Sequence, residues 1–96
     1  MSKPRYPWWS YVKSMVRRYR QPAKTRNEER ERDAVRRAVA DFSDHPDRLR
    51  LISLVFWEQS FNLSGAAQAC HVSYDTARLW SAQFLRCVAK HFGLLD

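Results

Sequence analysis

The sequence predicts an all-α domain of about five helices that ends in a helix-turn-helix with a long second (recognition) helix. Three observations lead to this fold class. Apolar residues recur every three or four positions in successive segments, and no stretch shows the alternation of a strand. Two glycines and four prolines, the prolines all in the first half, leave few turn signals and imply short connections. Hydrophobic residues form 45% of the 96, with four Trp, four Tyr and five Phe, enough to pack one small core and too many for wholesale disorder.

Residues 1–7, MSKPRYP, read as an arm in which Pro4 and Pro7 prevent an early helix start. Over 8–20, Trp8, Tyr11, Val12, Met15, Val16 and Tyr19 form one amphipathic stripe, with Lys13, Arg17, Arg18 and Arg20 mostly between them, and Gln21-Pro22 ends it. Residues 1–22 thus make a basic, aromatic arm and helix ahead of a helical domain over 23–96. The second helix starts at Thr25, which stands in capping-box spacing with Glu28. Its first turns, RNEERERD, contain no apolar residue and read as a solvated face. Glu28–Arg32 and Asp33–Arg37 lie at i,i+4 there, each pair worth about 0.2–0.5 kcal/mol. Ala34, Val35, Ala38, Val39 and Phe42 supply the packing stripe that follows. Ser43-Asp44-His45-Pro46 closes this helix and opens a third over 46–61. That one is apolar on more than one face, through Leu49, Leu51, Ile52, Leu54, Val55, Phe56, Trp57 and Phe61, and is the expected centre of the core.

The helix-turn-helix falls at 63–93. Ser64 is expected to cap a short helix whose Ala66, Ala67 and Ala69 admit a close neighbour, and His71-Val72 makes the turn. Ser73 caps the second helix, which runs to Phe92, where Gly93 offers a left-handed stop. Ala77, Trp80, Phe84, Val88 and Phe92 lie on one stripe, expected to pack on the third and fourth helices. Tyr74, Asp75, Arg78, Leu79 and Ala82 occupy the other side near the helix start. Arg78 can donate two parallel bonds to guanine O6 and N7, and Leu79 and Ala82 suit thymine methyl groups. Tyr74 can reach a phosphate or a base edge, while Ser73 and Asp75 suit the helix start itself. Double-stranded DNA is therefore the expected partner.

Charge points the same way. Residues 1–39 hold twelve Lys or Arg against four acids, whereas 40–96 hold five against six. Non-specific phosphate contacts are thus expected from the N-terminal half, with Lys13, Arg17, Arg18, Arg36 and Arg37 as candidates, and sequence reading from the C-terminal half.

Residues 63–92 resemble the promoter-reading fourth region of bacterial sigma factors, best at Leu63-Ser64 and Val72-Ser73. Most of the chain is similar to small phage-encoded late-transcription regulators of Gram-positive bacteria, through KPRYPWWSYVKSMVRRY, RLRLISLVFW and HVSYDTARLW in that order. The resemblance implies transcription regulation at a promoter through DNA and RNA polymerase, with Ser73, Tyr74, Thr76, Arg78 and Leu79 on the reading segment. Two departures stand out: His71 occupies a turn position where Gly is common, and residues 74–83 are less basic than in sigma factors.

Other readings stay open beside this one. The chain can instead be a protein-interaction module docking on RNA polymerase, or a packaging-initiation DNA-binding subunit. A homodimer is a further candidate, with the 8–19 stripe as its contact. Trp8 and Trp9 among Lys3, Arg5 and Lys13 suit core packing first, with base stacking, a membrane surface or a partner protein behind it. Cys70, His71, Cys87 and His91 hint at zinc, yet adjacent Cys70 and His71 diverge on a helix, so no metal or cofactor is expected. No nucleophile-and-base motif or phosphate-cradling glycine loop occurs, so no catalysis is expected. No apolar run matches a membrane span and residues 1–10 lack a signal-peptide core, so the expectation is a cytoplasmic protein with unpaired thiols.

Overall fold

Three of the helices begin on a side chain that satisfies their first amides, as the sequence spacing demands. The computed structural model describes residues 7–58 and 61–95, so the expected arm, Pro7 apart, lies outside the described residues. Five α-helices occur among them: α1 (Trp9–Arg17), α2 (Arg26–Asp41), α3 (Pro46–Ile52), α4 (Leu63–Ala69) and α5 (Tyr74–Phe92). The described residues contain no strand. Thr25 accepts the Glu28 amide at 3.1 Å and Ser73 the Thr76 amide at 3.1 Å. Pro46 opens α3 from its first turn, where its missing N–H costs nothing.

Several boundaries differ from expectation, each for a local reason. The cap of α4 is Asn62, whose Oδ1 accepts the Gly65 amide at 2.8 Å, so Ser64 already lies inside the helix. Helix α1 stops at Arg17 rather than 20, because Arg18 reaches across to α2 and the Tyr19 ring turns back onto Trp57, centroids 5.5 Å apart. The third helix ends at Trp57, its last residues Ser53–Trp57 wound as a π segment in which the Glu58 amide bonds Ser53 O at 2.8 Å. Phe61 is thus outside that helix and exposed, lying against Gly65, where a Cβ would come within 3.1 Å of its ring.

The RNEERERD stretch is not wholly a solvated face. Glu31 is only 4% exposed, because α1 crosses over it. Its carboxylate accepts from the Tyr11 hydroxyl and from Asn27 Nδ2 at 3.1 Å, and pairs with Arg18 at 3.1 Å. Asp33–Arg37 forms as expected at 2.9 Å, but Glu28 accepts the Lys24 amide at 2.8 Å and faces Arg18 instead of Arg32.

The core has two parts. Val12, Met15 and Val16 of α1, Ala34, Val35 and Ala38 of α2, Ile52 and Phe56, and Phe84, Leu85, Val88 and Ala89 of α5 form the larger one. Leu51, Leu54, Ala66, Ala67 and Ala77 form the smaller one, under α4. This division explains why the third helix is apolar on more than one face: Leu51 and Leu54 serve one cluster, Ile52 and Phe56 the other. Helix α5 runs through both and packs on α1 and α2 as well as on α3 and α4. Its buried stripe accordingly includes Leu85 and Ala89, with Trp80 and Phe92 at its half-buried margins. Of the α1 stripe, Val12, Met15 and Val16 are buried in the chain's own core, while Tyr11 stays exposed. No helix among the described residues is long and apolar enough to cross a membrane.

Candidate nucleic-acid interface

The turn between α4 and α5 is held short by backbone hydrogen bonds back to α4. The Val72 amide reaches back to Ala67 O at 3.0 Å and the His71 amide to Gln68 O at 3.1 Å, the paired bonds of a Schellman stop. This closure requires a left-handed residue, and His71 takes it, at φ 58°. Helix α5 ends in the same pattern, Leu94 to Ala89 O at 2.8 Å and Gly93 to Lys90 O at 3.2 Å, with Gly93 at φ 92°. A β-carbon makes the left-handed form costly, so α4 carries strain that α5 avoids.

Within this frame, the start of α5 is the most open part of the helix. Tyr74 and Leu79 are 51% and 53% exposed, unusual for large apolar side chains. Arg78 is exposed and has no ion-pair partner among the described residues. Ser73 and Thr76 are engaged with each other: besides accepting the Thr76 amide, the Ser73 hydroxyl lies 2.9 Å from Thr76 Oγ1. Those two hydroxyls serve the helix start. Ala82 is half-buried, one turn further along.

Arg78, Leu79 and Ala82 share an open groove of about 500 Å³ with Trp9 and Lys13 of α1 and with Arg86. Trp9 and Lys13 are at i,i+4 and form one wall, and α5 forms the other. Lys13, Arg78 and Arg86 meet a single acid there, Asp75, so the groove is net cationic. Arg86 is absent from the residues expected from the sequence, although 78, 82 and 86 repeat every four positions and so share a helix face. Its Nε is shut off from solvent and has no hydrogen-bond partner among the described residues.

The five expected phosphate contacts separate. Of the five, Lys13 comes to the groove at the start of α5. The Arg17 guanidinium lies over the Phe56 ring, 5.8 Å from its centroid, and Arg18 is taken up by Glu31. Arg36 and Arg37 both pair with Asp33 on α2. Trp8 and Trp9 pack tilted against each other at 5.6 Å and against the larger core, in keeping with the packing reading of that pair.

A second cluster lies where α2 and α5 end. Asp41 Oδ2 accepts from Cys87 Sγ at 3.3 Å and lies 2.5 Å from His91 Nε2. The bonds from His91 and Cys87 hold the Asp41 carboxyl below its ordinary range. Burial, and then Asp41, push the Cys87 thiol up to about 12, so it stays protonated at neutral pH. Burial also raises the Cys70 thiol, but neither Cys70 nor His71 belongs to this cluster. The i,i+4 pair Cys87 and His91 is visible in the sequence. Asp41, 46 residues before Cys87, carries no local signal. No protein-family model, curated protein or solved structure matches the chain.

Proposed function

We propose that this chain is a sequence-specific DNA-binding regulator of transcription, with α4 and α5 acting as a helix-turn-helix and the start of α5 entering the major groove. The observation that carries the reading is the exposed Arg78, without an ion-pair partner among the described residues, flanked by exposed Tyr74 and Leu79 and opening onto a groove lined by Lys13 and Arg86. Distances along the helix support a division of labour. Arg86 lies eight residues beyond Arg78, roughly 12 Å along the axis. The major groove is about 8.5 Å deep. With Arg78 at the base edges, Arg86 and the facing Lys13 stand at the level of the phosphates. Arg78 and Leu79 then read bases, with Ala82 at the groove edge, and Lys13 and Arg86 hold the backbone.

The resemblance of the sequence to phage late-transcription regulators supports action at a promoter, with RNA polymerase as a second partner. Docking on polymerase without base reading is the second reading, favoured by the exposed apolar pair Tyr74 and Leu79. A packaging-initiation subunit would use the same helix pair.

Fluorescence anisotropy with labelled duplexes across a salt series tests the division. Lys13→Gln and Arg86→Gln are expected to weaken binding to all sequences alike and to flatten the log–log salt slope by about 0.9 per phosphate lost. Unchanged slopes in both variants would refute the phosphate-level placement of the groove. Binding to no duplex at all would transfer the case to polymerase docking.

A further inference from the structure

We propose that Asp41, Cys87 and His91 form a binding site for a single divalent transition-metal ion of the Zn²⁺ class, clasping the end of α2 to the end of α5. Their ligand atoms all lie within 4.8 Å of one another. The types are those zinc prefers: one thiolate sulfur, one imidazole nitrogen and one carboxylate oxygen. Cys87 and His91 are one turn apart on the 19-residue α5, and Asp41 is the last residue of α2, so all three donors are presented by packed helices. Cys70 and His71, the other pair a zinc reading of the sequence invites, take no part.

Zinc bonds of about 2.0–2.3 Å at tetrahedral angles put neighbouring ligand atoms roughly 3.2–3.7 Å apart. Asp41 Oδ2 and Cys87 Sγ, at 3.3 Å, already meet this spacing. Asp41 Oδ2 and His91 Nε2, at 2.5 Å, must open by about 1 Å. The metal replaces their mutual hydrogen bond with two coordinate bonds. Three protein ligands leave the fourth position to water on the exposed side of Asp41.

Charge favours the loaded site. Arg37 of α2 and Arg86 and Lys90 of α5 border the same hollow and would repel a bare dication. The carboxylate and thiolate neutralise the ion, however, so the complex carries no net charge for these residues to oppose. Binding requires the Cys87 S–H bond to break: the sulfur keeps the electron pair for the metal and the proton goes to buffer. His91 binds through the Nε2 lone pair, so the Nε2 proton that faces Asp41 passes through solvent to Nδ1, or to buffer where Nδ1 already carries one. Because the Cys87 proton leaves on metal binding, affinity should rise with pH near neutrality. This clasp lies apart from Tyr74, Arg78 and Leu79 and does not depend on the DNA reading.

The test is titration of the reduced, tag-free full chain with Co²⁺, followed by ultraviolet–visible absorption and then by Zn²⁺ displacement. One equivalent should produce a thiolate-to-cobalt charge-transfer band and the strong visible bands of a tetrahedral ion, both erased by Zn²⁺. Cys87→Ser should abolish the charge-transfer band, and Asp41→Asn and His91→Gln should each weaken binding tenfold or more, with circular dichroism confirming that the variants fold. Cys70→Ser should change nothing. Absence of a saturable band in the folded wild-type chain would overturn the proposal, as would a band that survives Cys87→Ser or disappears with Cys70→Ser.

Discussion

Replacing Arg18 by alanine should destabilise the chain by about 1–3 kcal/mol, because it leaves the buried Glu31 carboxylate without its charged partner. The bracket follows from exposure. Losing one member of a fully buried ion pair costs about 3–5 kcal/mol. The Glu31 side chain is 6% exposed but that of Arg18 is 39%, so solvent screens part of the loss. Tyr11 and Asn27 also go on donating to the carboxylate. Burial and then the Glu31 contact raise the Tyr11 hydroxyl, which therefore remains a proton donor beyond neutral pH. Tyr11→Phe removes that one donor and should cost about 1 kcal/mol. A domain of this size has roughly 5–15 kcal/mol in total, and each kcal/mol moves the midpoint by about 4–8 °C, so Arg18→Ala is readily measured. Urea denaturation at neutral pH should show a lower midpoint with an unchanged slope. A double-mutant cycle with Glu31→Gln should return a coupling of about 1 kcal/mol. Arg18→Ala within about 0.5 kcal/mol of wild type, or strict additivity in the cycle, would refute the view that this buried carboxylate ties α1 to α2.

Two further predictions concern the helix ends. His71→Gly should raise stability by about 0.5–1 kcal/mol by relieving the left-handed residue, whereas Gly93→Ala should lower it by about 1 kcal/mol. An added Cβ at Gly93 meets nothing within 4 Å, so the backbone conformation alone sets that cost; thermal melts of the pair should move in opposite directions. The acid limb should report the aspartates: Arg36 and Arg37 lower the Asp33 carboxyl, as His91 and Cys87 lower that of Asp41. For a depressed carboxyl the added stability is present above the unfolded value of about 4 and is lost as pH falls through the lower, folded value. Asp41→Asn should therefore flatten the stability curve below about pH 4 and leave its acid slope otherwise intact; an unchanged acid limb would contradict the contact.

What could be read from the sequence was whatever a helix declares locally. Thr25, Ser73 and Gly93 act within a turn of their own positions, so caps and stops were visible there. Ser64 and Asn62 show the limit, since both are good caps and the choice depends on where the chain arrives from Phe61. The burial of Glu31 was hidden because it depends on α1 crossing a helix turn that has no apolar residue of its own. Leu85 and Ala89 were missed for a related reason: α2 as well as α3 and α4 packs on α5, which widens its buried stripe. At the candidate interface, Tyr74, Arg78 and Leu79 could be placed by periodicity alone. Arg86 and the groove it shares with Lys13 follow from how α1 lies against α5, and Asp41 joins Cys87 and His91 only through the α2–α5 contact.

The central claim is that α5 reads base sequence through Arg78, and selection of sites from a random duplex library at near-physiological salt tests it most directly. The wild-type chain should enrich a defined motif. Arg78→Ala should lose preference at one guanine-containing position, by about 1–3 kcal/mol or roughly 5- to 150-fold, while the rest of the motif persists. An unenriched pool from the wild-type chain, or an Arg78→Ala variant that selects the same motif with the same preference at every position, would contradict it.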